Sequence, residues 1–173
     1  MSPVTLILGG ARSGKSLYAE NLLDSHAHKI YLATAEAQTV EKDAEMAARI
    51  EEHRERRGPE WETVEEPLEI AAWLAGHSKA ETPVLVDCLT LWLSNVMAAE
   101  RDVEADMVAL IDGLAGCAAP VVLVSNEVGM GIVPDNALAR AYMDNAGRMN
   151  QAVAAAADRV VMMHAGLAHV LKE

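Results

Sequence analysis

The chain lacks phenylalanine altogether, and aromatic residues make up only 3% of its 173 residues. A core built around large rings is therefore excluded. Valine, leucine, isoleucine, methionine and alanine must fill the interior, since the sequence is 51% hydrophobic. Buried parallel strands packed against alanine-rich helices suit these side chains. The length is enough to bury a sizeable core, so we expect residues 1–173 to form a single α/β domain.

Cysteine, basic charge and long apolar runs are also scarce. Cys88 and Cys117 are too few for a disulfide framework, and no C-x-x-C spacing indicates zinc. With 14 Lys+Arg against 26 Asp+Glu, the net charge of −12 argues against nucleic acid as the main partner. No apolar run approaches the ~18 residues of a membrane-spanning helix, and no charged leader precedes the first apolar run. We expect a cytoplasmic protein without membrane insertion and with reduced thiols.

The most informative stretch is GGARSGKS, residues 9–16, which fits the phosphate-binding pattern G-x-x-x-x-G-K-[ST] at every fixed position. It follows the apolar run at residues 4–8, so a buried strand leads into a glycine-rich turn and a helix. Glycines let backbone N–H groups converge on phosphate oxygens. An ordinary glycine-rich turn is the alternative, but the flanking strand and helix favour a nucleoside triphosphate. The candidate nucleotide-binding residues are Gly9, Gly10, Ala11, Arg12, Ser13, Gly14, Lys15 and Ser16.

Apolar runs and amphipathic segments alternate along the rest of the chain. This alternation predicts a P-loop NTPase-type three-layer α/β/α fold with a mostly parallel sheet and an antiparallel C-terminal edge strand. Further strands are predicted at residues 30–34, 61–65, 84–87, 121–125 and 159–164, with the edge strand at 168–171. Helices are predicted at residues 41–57, 68–75, 89–99 and 103–115, and from a cap at Asp135 or Asn136 through the alanine tract at 152–157.

Polar residues at strand ends indicate where a site would form. Asp87 closes an apolar strand, a pattern that in P-loop proteins places a carboxylate beside the metal, so Ser16 and Asp87 are the candidate Mg²⁺ ligands. The loop at residues 126–134 has two glycines and a proline, and it either shapes the site or is a close-packed turn. Glu127 in that loop is a candidate general base, with a structural role as the alternative.

The predicted helix at residues 41–57 permits two interpretations. His53 continues an apolar stripe, and Arg49 and Arg57 stand one turn either side of it. Glu–Arg pairs at i,i+4 spacing explain the charges as a solvated, salt-bridged helix face. The alternative is catalytic: nearby arginines disfavour the imidazolium and can hold phosphates, so a neutral imidazole could attack phosphorus.

Four stretches, residues 9–16, 45–65, 86–92 and 126–134, resemble the bifunctional adenosylcobinamide kinase / adenosylcobinamide-phosphate guanylyltransferases of vitamin B12 biosynthesis. The resemblance implies phosphorylation of adenosylcobinamide with ATP or GTP. It also implies transfer of GMP from GTP to adenosylcobinamide-phosphate, yielding adenosylcobinamide-GDP and pyrophosphate. The rivals are a P-loop kinase acting on another small alcohol, with His53 merely packed, and a non-enzymatic nucleotide switch.

The same resemblance implies specific roles for individual residues. His53 would carry GMP covalently between the two halves of guanylyl transfer. A homotrimer is implied as well. Beyond the P-loop, the resemblance implies nucleotide contacts at Ala33, Thr34, Ala35, Arg54, Glu55, Arg56, Arg57, Glu65 and Asp87.

Overall fold

The computed structural model describes residues 3–35, 57–77 and 79–173. The predicted helix at 41–57 therefore lies outside these ranges except for its last residue. Within the described ranges the chain forms seven strands and five helices. The strands are β1 Val4–Gly9, β2 Lys29–Ala33, β3 Trp61–Glu65, β4 Val84–Asp87, β5 Val121–Asn126, β6 Arg159–His164 and β7 Leu167–Lys172. The helices are α1 Lys15–Asn21, α2 Ile70–Gly76, α3 Leu89–Ala98, α4 Val103–Gly116 and α5 Ala137–Ala156.

All seven strands form one sheet in the order β3-β2-β4-β5-β1-β6-β7. Neighbouring strands are parallel except for the β6–β7 pair, which is antiparallel. The predicted mostly parallel sheet and its antiparallel C-terminal edge are therefore confirmed. Because β1 lies between β5 and β6, the P-loop leaves the sheet near its centre, where ligands of open α/β sheets bind.

Side chains alternate between the two faces of the sheet, as the period of a strand requires. On one face Leu6, Leu32, Val86 and Leu123 belong to a core that also receives apolar residues of α2, α3, α4 and α5. On the other face Ile7, Tyr31, Leu85 and Val122 pack with Ala19 and Leu23 beside α1. Adjacent strand residues thus pack on opposite faces of the sheet, and helices cover both faces, which gives the three layers.

A side-chain cap marks the start of the C-terminal helix α5, which then continues without a break. The Asn136 side chain accepts a hydrogen bond from the Ala139 N–H at 2.7 Å, so Asn136 is the residue that caps the helix. The helix runs through Gly147 without interruption. No helix among residues 3–35, 57–77 and 79–173 is long and apolar enough to cross a membrane.

A glycine allows α2 and α4 to pack closely. A Cβ added to Gly113 of α4 would lie 2.5 Å from the Ala71 carbonyl oxygen of α2. That oxygen belongs to the backbone and cannot rotate away, so the two helices could accommodate a side chain only by separating.

We expect Gly113→Ala to lower the free energy of unfolding by roughly 2 kcal/mol, because overpacking between helices outweighs the better helix propensity of alanine. Urea denaturation monitored by circular dichroism would measure the change. Gly147→Ala in α5 is the matched control, since nothing lies within 4 Å of its added Cβ. It should raise stability by up to about 1 kcal/mol. Equal effects of the two substitutions would contradict the packing argument.

Candidate active site

The P-loop connects β1 to α1 through positions that favour glycine. Gly14, which precedes α1, has φ 93°, a left-handed conformation that other residues adopt at a cost. At Gly9 an added Cβ would lie 2.5 Å from the Met163 carbonyl oxygen and 2.7 Å from Ser13 Oγ. No side chain caps α1, so its first N–H groups have no capping acceptor from a side chain. The loop therefore forms a narrow turn that leads into a helix without a side-chain cap at its N-terminus.

Two polar side chains of the loop are buried. Lys15 is 7% exposed, and its Nζ donates to the Gly10 carbonyl oxygen at 2.6 Å, across the loop. Burial lowers the pKa of the Lys15 ammonium, with the side chains of Cys88 and Asp87 opposing the shift. An anion placed in the loop would compensate for that lost hydration. The loop thus holds a cation that favours a phosphate partner.

Ser13 adds an unsatisfied group to the same loop. Its Oγ is buried and has no hydrogen-bond partner among the residues that the structure describes, although a buried hydroxyl normally has one. Its carbonyl oxygen, by contrast, accepts from the Gly166 N–H at 3.1 Å, which anchors the loop to the β6–β7 turn. An unpaired hydroxyl in an anchored loop is the arrangement expected where a ligand oxygen completes the hydrogen bonding.

Asp87, at the end of β4, joins the loop to the sheet. Its Oδ2 accepts from Ser16 Oγ at 3.2 Å and from the Tyr31 phenol at 2.9 Å. Oxygen ligands of this kind suit Mg²⁺, which usually keeps several waters and takes few protein ligands besides phosphates. No cluster of three or more His, Cys, Asp or Glu that could hold a metal exists in the described parts of the chain. Ser16 and Asp87 therefore fit a metal that arrives with a nucleotide.

Thr34 fastens the end of β2 to the residue after Asp87. Its hydroxyl accepts from the Cys88 N–H and donates to the Cys88 carbonyl oxygen, both at 2.9 Å. Asn95 of α3 donates to the Thr34 carbonyl oxygen at 2.8 Å. Burial, followed by the Asp87 charge, raises the pKa of the Cys88 thiol to about 11. Cys88 is consequently a neutral thiol, and the Thr34 hydroxyl is engaged with the backbone.

Arg57 lies against the aromatic ring of Tyr31, whose phenol binds the Asp87 carboxylate. Its guanidinium carbon is 3.3 Å from the centroid of the Tyr31 ring, a cation–π contact. Its Nη1 is buried, and no hydrogen-bond partner for it occurs in residues 3–35, 57–77 or 79–173. Burial raises the pKa of the Tyr31 phenol well above its ordinary value, and the negative charge of Asp87 adds to the shift. The phenol therefore remains a hydrogen-bond donor. After the Ser13 hydroxyl, the Arg57 guanidinium is a second group near the P-loop with an unsatisfied donor.

The loop after β5 is anchored beside the P-loop. The Glu127 N–H donates to the Gly9 carbonyl oxygen at 3.0 Å, and the Asn126 N–H to Thr90 Oγ1 at 2.7 Å. Glu127 Oε1 accepts from the Gly129 N–H at 2.6 Å, so this carboxylate already has a structural role. Farther along the loop, Ile132 is 97% exposed. The first residues of this loop, Asn126 and Glu127, are therefore held next to the P-loop, whereas the apolar side chain of Ile132 faces solvent.

Most of the predicted site residues that the structure describes meet at the carboxyl edge of the sheet. The P-loop and Asp87 are in direct contact, Ala33 ends β2 beside β4, and Thr34 follows it. Glu65 ends β3 on the far side of β2. Ala35 directly follows Thr34. The predicted residues His53, Arg54, Glu55 and Arg56 lie outside the described residues. Direct nucleotide contacts at all of these positions stay predictions.

Two contributors to the site were missed by sequence reasoning. The sequence pattern identifies Tyr31 only as a strand residue, although a phenol near the carboxyl end of a buried strand needs a polar partner there and is therefore a usable signal. Thr90, whose side chain holds the backbone of Asn126, lies in an apolar helix without any distinguishing pattern.

Fold and site together define a P-loop nucleotide-binding protein. A solved structure of the flagellar accessory protein FlaH from Methanocaldococcus jannaschii has a related fold, with a TM-score of 0.52 and 13% identity over 98% of this chain and 78% of that one. The model of the family described as cobinamide kinase / cobinamide phosphate guanyltransferase matches residues 5–171. The chain belongs to this family, and so to a class of bifunctional transferases.

Full-length relatives agree with this membership. The chain is 46% identical over 170 residues to the bifunctional adenosylcobalamin biosynthesis protein CobP of Pseudomonas aeruginosa, covering 96% of each chain. It is 39% identical over 182 residues to the bifunctional adenosylcobalamin biosynthesis protein CobU of Escherichia coli K12, covering 96% of this chain and 98% of that one. The resemblance noted from the sequence motifs is thereby confirmed.

We expect Ser13→Ala to leave stability without nucleotide unchanged, because the lost hydroxyl has no partner, and to weaken GTP binding about tenfold. Thermal unfolding and isothermal titration calorimetry would measure the two effects. Ser125→Ala is the matched control. Its Oγ donates to buried Asn150 Oδ1 at 2.7 Å, so its loss should cost roughly 1–3 kcal/mol of stability. A Ser13→Ala protein that is as destabilised as the control would show that Ser13 is structural.

Proposed function

We propose that the chain phosphorylates the hydroxyl of adenosylcobinamide with ATP or GTP and then transfers GMP from GTP to the resulting phosphate. Adenosylcobinamide-GDP and pyrophosphate are the products, in adenosylcobalamin biosynthesis. Family membership supports the pair of reactions. The observation that carries the proposal is the P-loop itself, where the unpaired Ser13 hydroxyl and the buried Lys15 ammonium adjoin the Ser16–Asp87 pair.

In the kinase step the chain mainly positions and neutralises charge. Lys15 and the loop amides would hold the β- and γ-phosphates while the acceptor oxygen attacks the γ-phosphorus and the bond to the β-phosphate oxygen breaks. Ser16 and Asp87 would hold Mg²⁺, which spreads the charge of the phosphates. Because Glu127 already accepts a hydrogen bond from the Gly129 N–H, we assign it to loop structure rather than to proton removal.

For guanylyl transfer we assign the nucleophile to His53. Its neutral imidazole would attack the α-phosphorus of GTP, form a phosphorus–nitrogen bond and release pyrophosphate. The phosphate of the acceptor would then attack the same phosphorus and free the histidine. Arg49 and Arg57 flank His53 in sequence, and they favour the neutral imidazole and can neutralise the leaving group.

Chain connectivity supports this assignment. Arg57 lies over the Tyr31 ring, whose phenol bonds to Asp87. Four residues of chain span at most about 14 Å, even when fully extended. This chain length is short enough for His53 to act on a nucleotide whose phosphates are bound at Ser16.

The oligomer stays a prediction that rests on the resemblance alone. We propose a homotrimer, for which sedimentation equilibrium would give three times the mass of one chain. A value of one or two chains would overturn it without affecting the assignment of the reactions.

We expect His53→Asn to abolish labelling of the protein by GTP carrying a labelled α-phosphate, because asparagine offers no nucleophilic nitrogen. Phosphorylation of adenosylcobinamide should continue, since the P-loop is intact. His28→Asn, at an exposed position, is the matched control and should retain labelling. Mapping of the modified residue by mass spectrometry would complete the test.

Undiminished labelling of His53→Asn would reject the nucleophile. Failure of the wild-type protein to label, with the kinase intact, would favour a P-loop kinase for another small alcohol.

We expect Lys15→Met to reduce both reactions about a hundredfold or more, because the buried charge that holds the triphosphate is lost. Product formation from adenosylcobinamide and from its phosphate would be measured separately. Lys79→Met, at an exposed position, is the control and should behave as wild type. GTP binding by the wild type without turnover of either substrate would instead support a nucleotide switch.

A further inference from the structure

Tyr31 lies beneath the nucleotide site and has no role in either reaction as described so far. It is a residue of β2, it is 8% exposed, and its phenol donates to Asp87 Oδ2 at 2.9 Å. The same oxygen accepts from Ser16 Oγ at 3.2 Å. One carboxylate oxygen thus accepts a hydrogen bond from the P-loop helix and another from β2, which is separated from β1 by the two strands β4 and β5.

The register of the sheet determines the position of the contact between Tyr31 and Asp87. Tyr31 is in register with Leu85, and Ala33 with Asp87, in the parallel β2–β4 pair. Tyr31 therefore lies two residues before the level of Asp87, and its ring spans that offset along the strands. The backbone defines where the phenol oxygen can lie, so the phenol acts as a fixed donor to a carboxylate that could otherwise rotate.

The ring itself is held on two sides. Trp61 of β3 meets it edge to face, with centroids 6.4 Å apart and an interplanar angle of 80°. The Arg57 guanidinium lies over it at 3.3 Å. A cation over a phenol ring strengthens the O–H as a donor, because it favours electron density moving toward the ring. Both contacts restrain the phenol that holds the carboxylate.

We propose that Tyr31 is a positioning residue for the metal–nucleotide complex: it directs the Asp87 carboxylate toward Ser16 so that the two can bind one Mg²⁺ ion together. This inference rests on the proposed use of a Mg²⁺–triphosphate. Among the described residues, Asp87 Oδ1 receives no hydrogen bond from another side chain, so it stays available to the metal or its waters. Tyr31 need not touch the nucleotide to act in this way.

The test measures GTP affinity by titration calorimetry, with Mg²⁺ and with EDTA, without any acceptor substrate. In Tyr31→Phe the ring stays and the phenol oxygen is lost. We expect the gain in affinity that Mg²⁺ gives to shrink about tenfold, the effect of one hydrogen bond to a charged group. The affinity in EDTA should stay within about twofold of wild type, since the P-loop is unchanged.

Tyr142→Phe is the matched control, because the Tyr142 phenol donates to the Thr90 carbonyl oxygen at 2.9 Å and not to a carboxylate of the site. It should leave the Mg²⁺-dependent gain unchanged. An equal loss in both variants, or an unchanged or larger gain in Tyr31→Phe, would overturn the inference. A wild type without any gain from Mg²⁺ would count against the proposed function as well as the inference.

A second pair of variants separates positioning from general damage to the fold. If Tyr31 acts through Asp87, adding Tyr31→Phe to Asp87→Asn should change the Mg²⁺-dependent gain no further. Additive losses would mean that Tyr31 acts by another route and would reject the proposal. Thermal unfolding of each protein without nucleotide shows whether it is folded, and the cycle still tests the coupling if the single variants are less stable.

Discussion

The contact between Ser16 and Asp87 is the interaction on which the site depends. It connects the helix that follows β1 with the end of β4, across the intervening strand β5. The contact exists because the parallel register places Asp87 level with Val124, and Val124 level with Ile7. A strand slipped by one residue would turn the carboxylate to the other face. The register of β4, β5 and β1 thus determines where the Ser16 hydroxyl contacts the Asp87 carboxylate.

The surrounding polar residues stabilise that arrangement. Thr34 binds the backbone of Cys88, and the Tyr31 phenol binds the Asp87 side chain, so both the chain and the carboxylate are held. Satisfied polar groups at a buried edge cost little, whereas unpaired ones are expensive. The unpaired atoms of Ser13 and Arg57 are therefore informative, because under the proposed function phosphate oxygens would supply the missing partners.

Local sequence chemistry was enough to predict the strand, turn and helix around residues 9–16 and the carboxylate that ends β4. Each of these follows from a pattern only a few residues long. Alternating apolar runs also predicted the parallel sheet and its antiparallel edge. The Tyr31–Asp87 hydrogen bond could not be predicted in the same way, since it joins residues 56 positions apart through the β2–β4 register. Spacing placed Arg57 one turn from His53, but only the fold places it over the Tyr31 ring.

The separation of Ser16 and Asp87 along the chain has a consequence for how the protein matures. The two residues are 71 positions apart, and a partly folded chain lacking either β4 or β5 has no complete triphosphate cradle. Such non-local pairing forms slowly, because long loops must close first. Under the proposed function, a triphosphate would bind only chains whose central sheet is complete, and by mass action it would lower the fraction of chains open to proteases. The nucleotide would then stabilise the completed fold selectively.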